Sequence, residues 1–147
     1  MSNEQDFIAR AGQQAGFHHL LGTRLVEWER DRVVLELAVR PELLNLGGVV
    51  HGGVLSTLVD SACGFAGAWS PEPGHVRKSV TLSLTTNFTG QVTEGTLRAV
   101  GRKVAGGRRI YTGVAEVFND AGELVATGQG TFRYRSGSES ETGVKAN

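Results

Sequence analysis

Three features of the chain combine residue types and spacing that can do chemistry. Asn45 sits in a Pro- and Gly-containing stretch, His51-Gly52-Gly53 opens an apolar run, and Asp60 lies inside that run. Glycines at a helix N-terminus leave backbone N–H groups open to a ligand. Those donors, with the positive end of the helix dipole, suit a carbonyl oxygen gaining negative charge. The same glycines could equally serve close packing alone. Asp60 is flanked at helical spacing by Ser56, Thr57, Cys63 and Gly64. That face is small and partly polar, like the wall of a cavity. An ionised carboxylate on a buried helix is costly unless paired. In a cavity it is a candidate nucleophile or general base. Held by a hydroxyl from a Ser/Thr-rich strand, it is a structural residue instead.

Spacing limits what one chain can do. Asp60 lies nine residues after His51, which is roughly 13 Å along a helix axis at 1.5 Å per residue. Groups acting on one carbonyl must lie within about 3 Å of it. One helix cannot easily aim its N-terminus and Asp60 at the same carbonyl. A symmetric dimer removes the difficulty, because one subunit's helix start can face the other's Asp60.

The elements that must position these residues follow from periodicity. Residues 4–15 read as a short helix. Residues 22–29 and 32–40 read as strands joined by a tight turn at Arg30-Asp31. In the second, Val33, Leu35, Leu37 and Val39 share one face. Residues 41–50 form a loop. A helix from about Gly52 to about Trp69 is apolar almost all round, which predicts a core position. Residues 70–74 (SPEPG) stop it. Residues 78–89 read as a strand with Val80, Leu82, Leu84 and Phe88 on one face. Strands 96–105, 108–119 and 124–135 follow, with hairpin signals at Gly106-Gly107 and Asn119-Asp120-Ala121-Gly122. The polar tail 136–147 is expected to be disordered, leaving 1–135 as the folded domain. The class is α+β, with helices on one face of an antiparallel sheet. One apolar helix wrapped by a curved antiparallel sheet is the hotdog architecture.

Composition narrows the function classes. A chain of 147 residues is one domain and buries roughly 68–70% of its unfolded surface. Lys+Arg and Asp+Glu both number 15, and zero net charge argues against a nucleic-acid binder. Cys63 is the single cysteine, so no intrachain disulfide exists and a reducing compartment is the default. No secretory h-region and no 18-residue apolar run are present, so a cytoplasmic protein without a membrane segment is expected. His18-His19 have no further ligands at usable spacing, so no metal is expected. Cys63 has no base nearby in sequence and reads as a buried, inert thiol.

The stretch from Asn45 through His51-Gly52-Gly53 to Asp60 resembles the PaaI-type branch of hotdog thioesterases. That branch includes phenylacetate-pathway, THEM-type and one class of 4-hydroxybenzoyl-CoA thioesterases. The resemblance extends over 17–135, and its specific part is 45–64. Thr81…Phe88…Val92…Glu94-Gly95 adds weaker support. It implies hydrolysis of an acyl-CoA thioester. Asp60 would be the nucleophile or general base, and the Gly52 N–H would polarise the carbonyl. His51 would order that turn, Asn45 would hold water or thioester, and Thr81 would assist the acid. It implies no cofactor, since coenzyme A is part of the substrate. It also implies a site at a dimer interface, and many members are tetramers of two such dimers. Coenzyme A phosphates call for cations. Arg108 and Arg109, beside the Gly106-Gly107 turn, are the candidates, although a solvated hairpin tip explains them equally. Two departures stand out. Phe88-Thr89-Gly90-Gln91 replaces an aromatic-Leu-Arg-Pro-like run, and Gly64 replaces a hydroxyl residue. The rival functions are a hotdog hydratase or dehydratase and a non-catalytic acyl-CoA binding module. Against the first, His51 precedes Gly-Gly and reads as structural; against the second, no further domain is visible.

Overall fold

The structure is a computed structural model that describes residues 16–146. A five-residue helix, α1 (Phe17–Leu21), leads into strands β1 (Arg24–Glu29) and β2 (Arg32–Ala38). A 3-10 turn at Pro41–Leu43 precedes helix α2 (Gly52–Ala68). Then come β3 (His75–Val76), β4 (Ser79–Phe88), β5 (Thr96–Gly106), β6 (Ile110–Phe118), β7 (Leu124–Tyr134) and β8 (Val144–Lys145). The helix expected over 4–15 lies outside the described residues. Among the described residues, no helix is long and apolar enough to cross a membrane.

Six strands form one antiparallel sheet in the order β1-β2-β5-β6-β7-β4. Its concave face wraps α2, as the hotdog architecture requires. Alternation supplies that face: Val33, Leu35 and Leu37 of β2 are buried, as are Leu97 and Ala99 of β5. They pack with Leu58, Val59, Ala62, Cys63 and Ala66 of α2 in one core. The Arg30-Asp31 turn takes the shape expected, with Asp31 at φ 62°.

Close approach of helix to sheet depends on missing side chains. A Cβ on Gly101 of β5 would stand 2.2 Å from the Ala62 carbonyl oxygen of α2. A Cβ on Gly67 would stand 2.3 Å from the Tyr111 ring. The last carbonyls of α2, which no helical N–H can reach, go to the sheet and its neighbours. Trp28 Nε1 donates to Phe65 O at 2.7 Å, and Tyr134 Oη to Gly67 O at 2.7 Å. The Arg77 N–H donates to Ala68 O at 2.9 Å. One residue earlier, Tyr111 Oη donates to Gly64 O at 2.8 Å.

The apolar face of β4 does not enter the core: Val80, Leu82, Leu84 and Phe88 are 36–56% exposed. β4 is one of the sheet's two edge strands, and among the described residues no strand pairs with its free edge. The tail is not disordered over its described part. Arg77 donates to the Ser138 and Glu139 carbonyls, and Ser70 Oγ to the Thr142 carbonyl. Val144 and Lys145 pair with Val76 and His75. Polar composition suggested disorder, but backbone carbonyls can bind side-chain donors whatever residues carry them.

The packing makes a contrast between two glycines. Gly101→Ala should cost about 1–3 kcal/mol, the range for overfilling a packed core. Gly107→Ala, where an added Cβ meets nothing, should stay within about 0.5 kcal/mol. Urea unfolding of both variants checks this, and equal midpoints would contradict the packing described.

Candidate functional site

Asp60 lies midway along α2, between the fully buried Val59 and the buried Ser61. Its side chain is half-buried and meets β4, where Thr81 Oγ1 donates to Asp60 Oδ1 at 2.7 Å. Among the described residues no cation forms an ion pair with it. The carboxylate borders a cleft of about 410 Å³ whose walls include Gly64, Phe65, Ala68, Val76 and Phe132. Cys63, one turn on, faces the core instead. Burial pushes its thiol up to about 12, so it stays protonated at neutral pH.

The start of α2 forms a second constellation. His51 is the N-cap: its Nδ1 accepts from the Gly53 N–H at 2.8 Å, and its carbonyl accepts from Val54. That leaves the Gly52 N–H without an acceptor among the described residues. Using Nδ1 as the acceptor puts the ring proton of a neutral His51 on Nε2. Asn45 folds its loop on itself. Its Oδ1 accepts from the Gly47 N–H at 2.9 Å and the Val49 N–H at 3.2 Å. The amide NH₂ is then the part of Asn45 left to meet a ligand. Asn45 and His51 line a separate, open hollow with Leu44, Leu46 and Gly47.

Within one chain, Asp60 and Thr81 therefore meet, as do Asn45 and His51, but the two pairs border different hollows. Eight residues of helix, roughly 12 Å, separate Gly52 from Asp60. Arg108 and Arg109 sit exposed at the β5–β6 hairpin tip, outside the lining of the Asp60 cleft. They face the tail, where backbone N–H groups hold the Glu139 carboxyl below its usual range and the two arginines add to it.

Several residues of the cleft were not foreseen from the sequence. Arg77, Lys78 and Arg135 line it, as does His18 of α1. Arg40 anchors that helix by donating to the Leu20 and Leu21 carbonyls. The His18 ring tilts against Phe65 at 5.7 Å, and its Nδ1 is buried without a hydrogen-bond partner. Burial lowers its pKa, with the Asp60 charge acting the other way, so the ring is neutral at pH 7. No spacing signal marks these residues. Lys78 and Arg135 meet only because β4 pairs with β7, a strand far away in sequence.

With this geometry in view, comparisons with known proteins fall on the same region. The family model described as the thioesterase superfamily matches residues 47–126. A protein of Mycobacterium tuberculosis named as a candidate esterase is 32% identical over 114 residues, covering 77% of this chain and 81% of that one. The solved structure of a conserved protein from Pseudomonas aeruginosa is 35% identical, with a TM-score of 0.78. It covers 86% of this chain and 99% of that chain. A mutant of the phenylacetic acid degradation protein PaaI from Thermus thermophilus is 29% identical, with a TM-score of 0.69. It covers 80% of this chain and 96% of that chain. The chain belongs to the thioesterase superfamily, as a hotdog-fold hydrolase of thioesters.

Proposed function

We propose that the protein hydrolyses an acyl-CoA thioester to the free acid and coenzyme A. The observation that carries this reading is the Asp60 carboxylate, without an ion pair among the described residues and bonded to Thr81 at 2.7 Å, at the border of a cleft with both apolar and polar walls. Asp60 either takes a proton from water as it attacks the carbonyl, or attacks the carbonyl itself to form a mixed anhydride that water then hydrolyses. The thiolate leaves in both cases, and both need the same ionised group. The Thr81 hydroxyl fixes one carboxylate oxygen and leaves the other to the reaction.

The oxyanion needs a donor that Asp60's own surroundings do not supply. The free Gly52 N–H at the positive end of α2 suits it. The open Asn45 NH₂ suits the thioester or the attacking water. Their distance from Asp60 in one chain supports a homodimer at least, in which each site combines Asn45, His51 and Gly52 of one subunit with Asp60 and Thr81 of the other. The exposed edge of β4 and the fully exposed Leu46 are surfaces suited to that contact. Arg108 and Arg109 are the proposed contacts for coenzyme A phosphates. The use of His51 Nδ1 as a helix cap speaks against a hydratase that needs a free histidine base.

Two outcomes are expected. In a thiol-release assay over aryl, short, medium and long acyl-CoA substrates, Asp60→Asn should lower kcat about 100-fold or more. Unchanged turnover would remove Asp60 from the mechanism. Subunit mixing tests the shared site. Gly52→Pro removes the N–H at a helix position that tolerates proline. Gly52→Pro and Asp60→Asn proteins, each nearly inactive, should regain about a quarter of native activity when refolded together. That is the share expected when half the dimers each hold one intact site. A mixture no more active than its parents would place the whole site within one chain.

A further inference from the structure

Lys78 and Arg135 stand directly opposite each other where β4 and β7 end. The ladder pairs Ser79 with Tyr134, and the Arg135 N–H donates to Lys78 O at 2.8 Å, extending it by one step. Like charges facing each other across strands are destabilising. Among the described residues neither one forms an ion pair. Arg77 lies beside them, with its donors committed to the Ser138 and Glu139 carbonyls and its guanidinium 3.7 Å over the Tyr134 ring. All three line the same cleft as Asp60. The charged groups facing that space are thus three cations and one carboxylate, with the neutral His18 ring between apolar walls.

We propose that Lys78 and Arg135 form an anion subsite for a carboxylate at the far end of the acyl chain. The substrate class is then a thioester of a dicarboxylic acid. This rests on the acyl-thioester reading above and adds the acyl group to it. An anion between the pair removes their mutual repulsion, and the Arg77 charge strengthens the field. Distance favours the acyl chain over the coenzyme as the source of the anion. Lys78 lies three strand residues from Thr81, about 10 Å. An eight-carbon diacid spans about 9 Å between its ends, whereas an extended pantetheine arm puts the first phosphate about 15 Å from the carbonyl. Phe65, Ala68, Val76 and Phe132 offer the methylene chain an apolar path.

The test compares suberyl-CoA with octanoyl-CoA, which have equal length and differ in the terminal carboxylate. The native protein should favour suberyl-CoA in kcat/KM. In the Lys78→Met/Arg135→Met protein that preference should fall tenfold or more, the range for losing a charged hydrogen bond. Both side chains are exposed, so the fold should persist. Suberyl-pantetheine, which lacks the nucleotide and its phosphates, should show the same loss. A native protein without the preference overturns the proposal. So does a variant that loses the two CoA substrates equally while suberyl-pantetheine is unaffected, since the cations would then be reading phosphate. If neither CoA substrate releases thiol, the catalytic reading fails on its own. Calorimetric binding of suberyl-CoA and octanoyl-CoA to native and variant protein then decides the subsite: selective loss of suberyl-CoA binding supports it, and equal binding overturns it.

Discussion

A helix sealed inside a sheet has nowhere to send its last carbonyls. Each one buried without a donor would cost about 1–3 kcal/mol. Here aromatic side chains and a neighbouring backbone N–H answer that constraint. Trp28 and Tyr134 reach Phe65 and Gly67, and the Arg77 N–H reaches Ala68. Tyr111 adds a bond to Gly64. These donors come from β1, β6, β7 and the run into β4, so they fix α2 along its axis and about it at once. Gly67 and Gly101 are part of the same solution, since a Cβ at either would push the helix off the sheet.

Fixing the helix decides which side chain reaches the cleft. Asp60 and Cys63 are three residues apart, and either could serve as a nucleophile in the abstract. The rotation of α2 sends Cys63 into the core, where burial keeps it a thiol, and turns Asp60 toward β4 and the cleft. Thr81 then needs only one hydroxyl to hold the carboxylate. Gly64 has a part here too. Its Cβ would sit 3.4 Å from the Phe132 ring, so the residue that departs from the resembling enzymes keeps the cleft wall thin beside Asp60.

Much of this was legible in the sequence. Period-2 alternation located the six sheet strands to within two residues at each end, and an apolar run located α2 to within one. The Asp60–Thr81 contact was legible only through resemblance, because nothing in spacing joins a helix residue to a strand residue 21 positions on. Long-range pairing was not legible at all. The β4–β7 ladder brings Lys78 to Arg135 across 57 positions, and only the folded register reveals two cations face to face. The tail was misread for a related reason. Its fate depends on donors from Ser70 and Arg77 rather than on its own residues.

The edge strand joins the stability of the fold to its chemistry. A ten-residue strand with one unpaired edge and four large apolar side chains exposed is an aggregation hazard unless something covers it. β4 also carries Thr81, so whatever covers the edge comes close to Asp60. The Gly52 N–H and the Asn45 amide, meanwhile, are donors set away from the Asp60 cleft of their own chain. Under the proposed function, one contact between two copies answers both needs, burying the apolar edge and bringing the free donors to the carboxylate. Phe88 links the two. Its ring lies 3.3 Å from where a Gly52 Cβ would be, so the exposed end of β4 already touches the helix start that the second subunit would use.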